Sequence, residues 1–123
     1  MLLVDELTEA SADSSTTTYR VREDAALVSN GMLSEAGIIE HMAQSASALA
    51  GFLAVENGAT EPPLGMIGEV RNFKLAKQPA VGESLTTKVV MGLSVNGVTN
   101  VGIETRNEGE LVATCELKIV IRQ

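Results

Sequence analysis

Glu40 is the residue in this chain best placed to do chemistry. It sits in Ile38-Ile39-Glu40-His41-Met42-Ala43-Gln44, within a segment that is otherwise mostly apolar or small. A carboxylate in such company is costly unless it is paired or put to use, which makes Glu40 a candidate general acid or base. The alternatives are that it faces a solvent gap, or that it pairs with Arg71 or Lys74. His41 is the one histidine of the chain. Successive helix residues diverge by about 100°, so Glu40 and His41 of one chain do not enter one small pocket. Either a dimer brings His41 to Glu40 of a second copy as a second catalytic group, or it is a satisfied interface histidine. Gln44 lies one turn after Glu40 on the same face. It could orient the carboxyl group by a hydrogen bond, or be an ordinary buried amide bonded to backbone.

The element that must position these residues is one long helix. Ser34 can cap its start, Glu35 suits the positive end of its dipole, and Asn57-Gly58 supplies a stop. Between them Ile38, Met42, Ala46, Leu49 and Leu53 form a stripe at helical spacing. Ile39, Ala43, Ala50 and Ala54 occupy the other side, so the helix is expected to be buried on more than one side. Its Ala, Ser and Gly content implies close approach by other backbone. Free N–H groups at its start, near Glu35, Ala36 and Gly37, could stabilise developing negative charge on an oxygen. The competing reading of Gly37 is that it lets a strand pack tightly.

Nearly everything else reads as strand. Leu2–Leu7 and Thr16–Arg22 make a first pair about the Ser11-Ala12-Asp13-Ser14 turn, and Asn30-Gly31 is a further turn. After a turn at Glu61-Pro62-Pro63, Leu64–Leu75 reads as a strand. Leu85, Val89, Met91, Leu93 and Val95 fall on odd positions, Asn96-Gly97 is a strong hairpin signal, and Val101, Ile103 and Thr105 follow. Beyond Gly109 come Leu111, Ala113, Cys115, Leu117, Ile119 and Ile121. Period 2 over three segments predicts an antiparallel meander with one buried face. A helix of about 22 residues and strands of about 10 have similar lengths, roughly 33 and 34 Å. The expected fold is therefore α+β, a curved antiparallel sheet wrapped around one long central helix.

Composition limits the partners. The chain has 123 residues, enough for one domain over 1–123. Its three aromatic residues, Tyr19, Phe52 and Phe73, offer no base-stacking platform, and a net charge of −7 repels phosphate backbones and anionic lipid. Neither nucleic acid nor membrane is an expected partner. Cys115 has no second cysteine to pair with, fits an inward strand position as a structural thiol, and suits a reducing, cytoplasmic compartment. No apolar run approaches the roughly 20 residues that span a bilayer, and the first residues lack a signal peptide's basic region. No ligand spacing for a metal is present, and Gly65 and Gly68 lack a phosphate-loop context.

The helix segment Ile38–Gln44 resembles the I-x-E-x-M-A-Q motif of FabA/FabZ-type 3-hydroxyacyl-acyl-carrier-protein dehydratases. Gly68–Lys74 resembles that family's strand ahead of a P-x-x-G-D/E-x-L turn, which stands here as Pro79-Ala80-Val81-Gly82-Glu83-Ser84-Leu85. Leu2-Leu3-Val4-Asp5 resembles its first strand. The resemblance spans essentially the whole chain and implies the hot dog fold. It also implies a homodimer or higher even oligomer whose sheets join edge to edge, with acyl tunnels at the interface. One departure stands out. The family's H-F-P-G loop, with its catalytic histidine, corresponds here to Asp24–Ser34, which has neither His nor Pro. In this looser loop the chain is similar to relatives from aryl-polyene and flexirubin-type pigment pathways. Members of the dehydratase family usually carry a basic, proline-containing segment before the first strand, beside which this start looks short.

The resemblance implies dehydration of a 3-hydroxyacyl thioester on an acyl carrier protein or CoA, in fatty-acid or polyene-type lipid biosynthesis, with no cofactor. Glu40 would be the acid/base residue, and His41 or a residue of a second chain the other group. Gln44 would orient Glu40, and Ala36 and Gly37 would meet the thioester or pantetheine arm. Arg71 and Lys74, with Lys77 nearby, could meet a phosphate or an acidic carrier; solvated strand-edge charges are the plainer reading. Two other functions fit the same residues: a non-catalytic acyl-binding subunit of a heterodimer, and a hot dog thioesterase in which a helix glutamate activates water.

Overall fold

Apolar side chains that alternate along strands and recur every three or four residues along the helix bury the same core from opposite sides. The computed structural model describes residues 2–23, 27–56, 58 and 64–122. Its elements are β1 (Glu6–Ala10), β2 (Ser14–Arg20), β3 (Val28–Ser29), β4 (Met32–Leu33), α1 (Glu35–Glu56), β5 (Leu64–Leu75), β6 (Ser84–Val95), β7 (Val98–Asn107) and β8 (Glu110–Arg122). Six strands form one antiparallel sheet in the order β1-β2-β6-β7-β8-β5, and β3 and β4 form a small separate hairpin. The long helix lies against one face of the large sheet, as the periodicity predicts.

Each tight turn has a local cause. Asn30-Gly31, Asn96-Gly97 and Glu108-Gly109 all hold positive φ at both central residues, the twist that matches flanking strands in a two-residue hairpin. Ser34 caps the helix: its Oγ accepts the Gly37 N–H at 3.1 Å while its carbonyl accepts that of Ile38 at 3.0 Å. At the far end Gly58, with φ of 90°, donates its N–H to the Val55 carbonyl. The Pro79–Leu85 turn braces the helix start. Leu33 N–H bonds the Pro79 carbonyl at 2.8 Å, Val81 N–H bonds that of Gly31 at 2.9 Å, and the Glu83 carboxylate accepts the Ala80 N–H at 2.7 Å. Asn57, the Glu61-Pro62-Pro63 turn and loop residues 24–26 lie outside the described residues.

Ile38, Met42, Ala46 and Leu49 are fully buried against Leu85, Val89, Val101, Ile103, Leu117 and Ile119, with Leu53 half-buried beside them. Each such large aliphatic side chain contributes about 1.5–3 kcal/mol relative to exposure. Three expectations need correction. The first ladder starts at Glu6 rather than Leu2, because the Leu3 backbone bonds to helix side chains instead of a strand. In β6 the inward phase ends at a bulge between Met91 and Ser94. Leu93 and Val95 lie beyond the end of β2 and are 80% and 64% exposed. In β8 consecutive residues Val112 and Ala113 are both buried, beside a register shift between Thr105 and Arg106 that moves Leu111 off the inward phase.

The helix is also less enclosed than expected. Ala36, Glu40 and Ser47 are exposed, with Ile39, Ala43, Gln44 and Ala48 half-buried around them, so one side of α1 remains open within a single chain.

Candidate functional site

Glu40 lies on that open side, on the middle of the first half of α1. Gln44, one helical turn on, donates from Nε2 to Glu40 Oε1 at 3.1 Å. Its Oε1 accepts the Leu3 backbone N–H at 2.5 Å. The Gln44 side chain thus meets the carboxylate with its nitrogen and the Leu3 backbone with its oxygen. Among the described residues no ion pair joins Glu40 to Arg71 or Lys74.

His41 points the other way. It is fully buried, with Nδ1 2.5 Å from the Leu3 carbonyl oxygen and Nε2 2.6 Å from Thr87 Oγ1. A carbonyl only accepts, so Nδ1 carries the proton and Nε2 accepts the Thr87 hydroxyl. Thr87 Oγ1 is in turn 2.7 Å from Thr105 Oγ1, which then donates to it. Burial holds the imidazole pKa below its ordinary value, against the opposing pull of the Leu3 hydrogen bond and the Asp5 charge. The ring faces this chain's own core rather than a subunit surface, so the expected placement at an interface, or beside Glu40 of a second copy, gives way to a core position. Tyr19 covers the imidazole, its ring centroid 5.7 Å away.

Sequence reasoning missed the polar ladder that receives His41. Thr17, Thr87 and Thr105 are paired in register across β2, β6 and β7, and all are fully buried. Thr17 Oγ1 meets Ser45 Oγ at 2.7 Å, and the Ser45 hydroxyl also lies 2.9 Å from the His41 carbonyl. The available signal was a threonine on the inward phase of each of three strands, opposite the polar helix positions His41 and Ser45. For the Leu3 backbone there was no signal, since peptide groups carry no sequence information.

The helix start is closely packed. Gly37 is buried, its N–H is taken by the Ser34 cap, and a Cβ there would lie 2.5 Å from Leu33 Cδ1 and 3.0 Å from Leu27 Cβ. The tight-packing reading of Gly37 thus has a direct cause, whereas Ala36 beside it is exposed. Arg71 and Lys74 pair in register with Glu116 and Thr114, between the buried positions of β8, and so stand on the outer face of the sheet. The sheet separates them from the Glu40 side of the helix in this chain. Arg71 is also ion-paired to Glu69 at 3.0 Å, and Lys77 to Glu110 at 3.3 Å. Cys115 is buried with Sγ 3.8 Å from Met42 Sδ, and burial together with the Glu116 charge pushes its thiol pKa up to about 11. Among the described residues no group of His, Cys, Asp or Glu could hold a metal ion, and no helix is long and apolar enough to cross a membrane.

An antiparallel sheet curled about a capped central helix defines a hot dog fold. The chain belongs to the ApeP-like family, whose model, described as ApeP dehydratase, matches residues 1–123. Among solved structures, the dehydratase heterocomplex ApeI:P from Xenorhabdus doucetiae is similar at TM-score 0.88 and 20% identity, covering 99% of this chain and 84% of that one. A hypothetical thioesterase with coenzyme A from Streptococcus pneumoniae TIGR4 is similar at TM-score 0.78 and 13% identity, over 96% of this chain and 90% of that one. The smu.793 protein from Streptococcus mutans UA159, bound to acetyl CoA, is similar at TM-score 0.74 and 14% identity, over 98% and 91%. Among curated proteins none matches.

Proposed function

We propose that this chain is a subunit of a lyase that dehydrates a 3-hydroxyacyl thioester, with Glu40 as an acid/base residue. The observation that carries the reading is an accessible carboxylate on the open side of the central helix, held by Gln44, in a chain of the ApeP-like family. In the reaction the C2–H and C3–O bonds break, a C2–C3 double bond forms, and water leaves. One group takes the C2 proton, one gives a proton to the departing hydroxyl, and N–H donors steady the thioester oxygen. Glu40 supplies one of the two proton-transfer groups. His41, sealed in the core, is a positioning residue in this reading, so the second group comes from another chain. Ala36, exposed on the first turn of α1, marks where the thioester would approach the helix start, while its neighbour Gly37 is covered by Leu33 and Leu27.

Two chains join along β5, the longer of the sheet's two edge strands, whose 12 residues pair only with β8 among the described elements. A homodimer supplies a second Glu40. A heterodimer supplies a different residue, and this second reading is favoured because the similar ApeI:P structure is a heterocomplex. The carrier is an acyl carrier protein or CoA in a cytoplasmic fatty-acid or polyene-type pathway, with Arg71 and Lys74 meeting its phosphate or acidic surface. Similarity to proteins solved with coenzyme A or acetyl CoA supports a thioester as the substrate class.

Mass analysis of products from 3-hydroxyacyl-carrier substrates tests the reading. Enoyl product, lost in Glu40→Gln, supports it; free acid means a thioesterase; binding without turnover, alone and with a candidate partner chain, means an acyl-binding subunit.

A further inference from the structure

The Leu3 backbone is gripped by helix α1 through both of its peptide units. Its N–H donates to Gln44 Oε1 at 2.5 Å, and its carbonyl accepts from His41 Nδ1 at 2.5 Å. This grip settles which way the Gln44 amide points. A backbone N–H can only donate, so the amide oxygen must face Leu3 and the NH2 must face Glu40, 3.1 Å away. Reversed, the amide would set its oxygen against the carboxylate and its nitrogen against a donor.

The grip is itself held from behind. His41 is kept from turning by Thr87 at its other ring nitrogen, 2.6 Å away, and by the Tyr19 ring. The segment after Leu3 is tied to β2. Asp5 N–H bonds the Thr18 carbonyl at 2.7 Å, and the Asp5 carboxylate accepts the Arg20 N–H at 2.8 Å and pairs with Arg22. Leu3 itself is fully buried. The backbone of one residue, fixed at its N–H and at its carbonyl, thus stands behind the amide that holds Glu40.

We propose that the Leu3 backbone N–H is the positioning element for the Glu40 carboxylate, acting through Gln44, with His41 bracing the adjoining Leu3 carbonyl. The proposal rests on the reading of Glu40 as a proton-transfer group. Its content is that the N-terminal segment, remote in sequence from the helix, sets the geometry of that group.

The test replaces Leu3 by its α-hydroxy acid analogue, which keeps the side chain and carbonyl and exchanges the N–H for an ester oxygen. Turnover of a 3-hydroxyacyl thioester is expected to fall roughly tenfold in kcat with KM unchanged, a fraction of the 10²–10⁴ typical of acid–base groups. In parallel, the side-chain NH2 resonances of Gln44 are followed by NMR. They should move on Glu40→Gln in the otherwise unmodified protein, and that response should vanish in the ester. Gln44→Met provides a second variant if the ester does not fold, with the same loss in kcat. Unchanged kcat in either variant, or an NH2 response that survives the ester, overturns the proposal. If the unmodified protein turns over no substrate, either alone or with a candidate partner chain, the dehydration reading fails. The NMR response then decides the positioning claim alone: ester-sensitive upholds it, ester-insensitive overturns it.

Discussion

Glu40 and His41 are chain neighbours with opposite surroundings, and the contrast sets what each can do. Glu40 is exposed and held by one amide, so Glu40→Gln should leave thermal unfolding within about 0.5 kcal/mol of the parent. The same change should lower dehydratase turnover by at least about 10²-fold, read as enoyl product per unit time. Activity persisting at the parent rate would remove Glu40 from the mechanism. Cys115 illustrates the inert case. A buried thiol with its pKa pushed up to about 11 carries little thiolate at neutral pH. An aromatic disulfide reagent at pH 7.5 should label it only after denaturant is added; prompt native labelling would contradict the packing.

At the scale of elements, the helix start and the edge strand carry separate burdens. Gly37 allows Leu33 and Leu27 to close over the first turn, with no room for a Cβ. Gly37→Ala should therefore cost about 1–3 kcal/mol through overpacking, outweighing alanine's better helix propensity; denaturant titration measures it. Lys74 stands on the outer face of β5, a position suited to meeting a carrier rather than the reacting atoms. Lys74→Glu should raise KM for carrier-bound substrate several-fold at moderate salt, with kcat and turnover of the CoA thioester nearly unchanged. Equal effects on both substrates would assign Lys74 to something other than carrier docking.

For the molecule as a whole, the buried imidazole links stability to pH. The folded-state pKa of His41 is depressed by burial, so below about pH 6.5 the unfolded chain binds a proton that the folded chain resists. Its stabilising contribution is complete above that pH and is lost as pH falls, with a slope of up to about 1.4 kcal/mol per pH unit. Urea midpoints for the parent should drop between pH 7 and pH 5.5, more steeply than for His41→Gln. Parallel slopes would mean that the ladder of Thr17, Thr87 and Thr105 does not hold a neutral ring.

What the sequence determined by itself was whatever depends on local pattern. Helical spacing from Ile38 to Leu53, the Ser34 cap, Asn-Gly turns and alternating strand residues each act over a few positions, and together they specify a sheet curled about one helix. The motif around Glu40 likewise marked a candidate carboxylate and its Gln44 neighbour. Tertiary structure alone decided which way the groups face and what they touch. The bulge after Met91 turned Leu93 and Val95 to solvent, and strand pairing lined up three threonines to receive His41. The backbone N–H and carbonyl of Leu3, invisible to any residue pattern, came to lie against a helix some 40 positions away. Register and long-range backbone contact depend on how elements meet, and no single segment encodes that meeting.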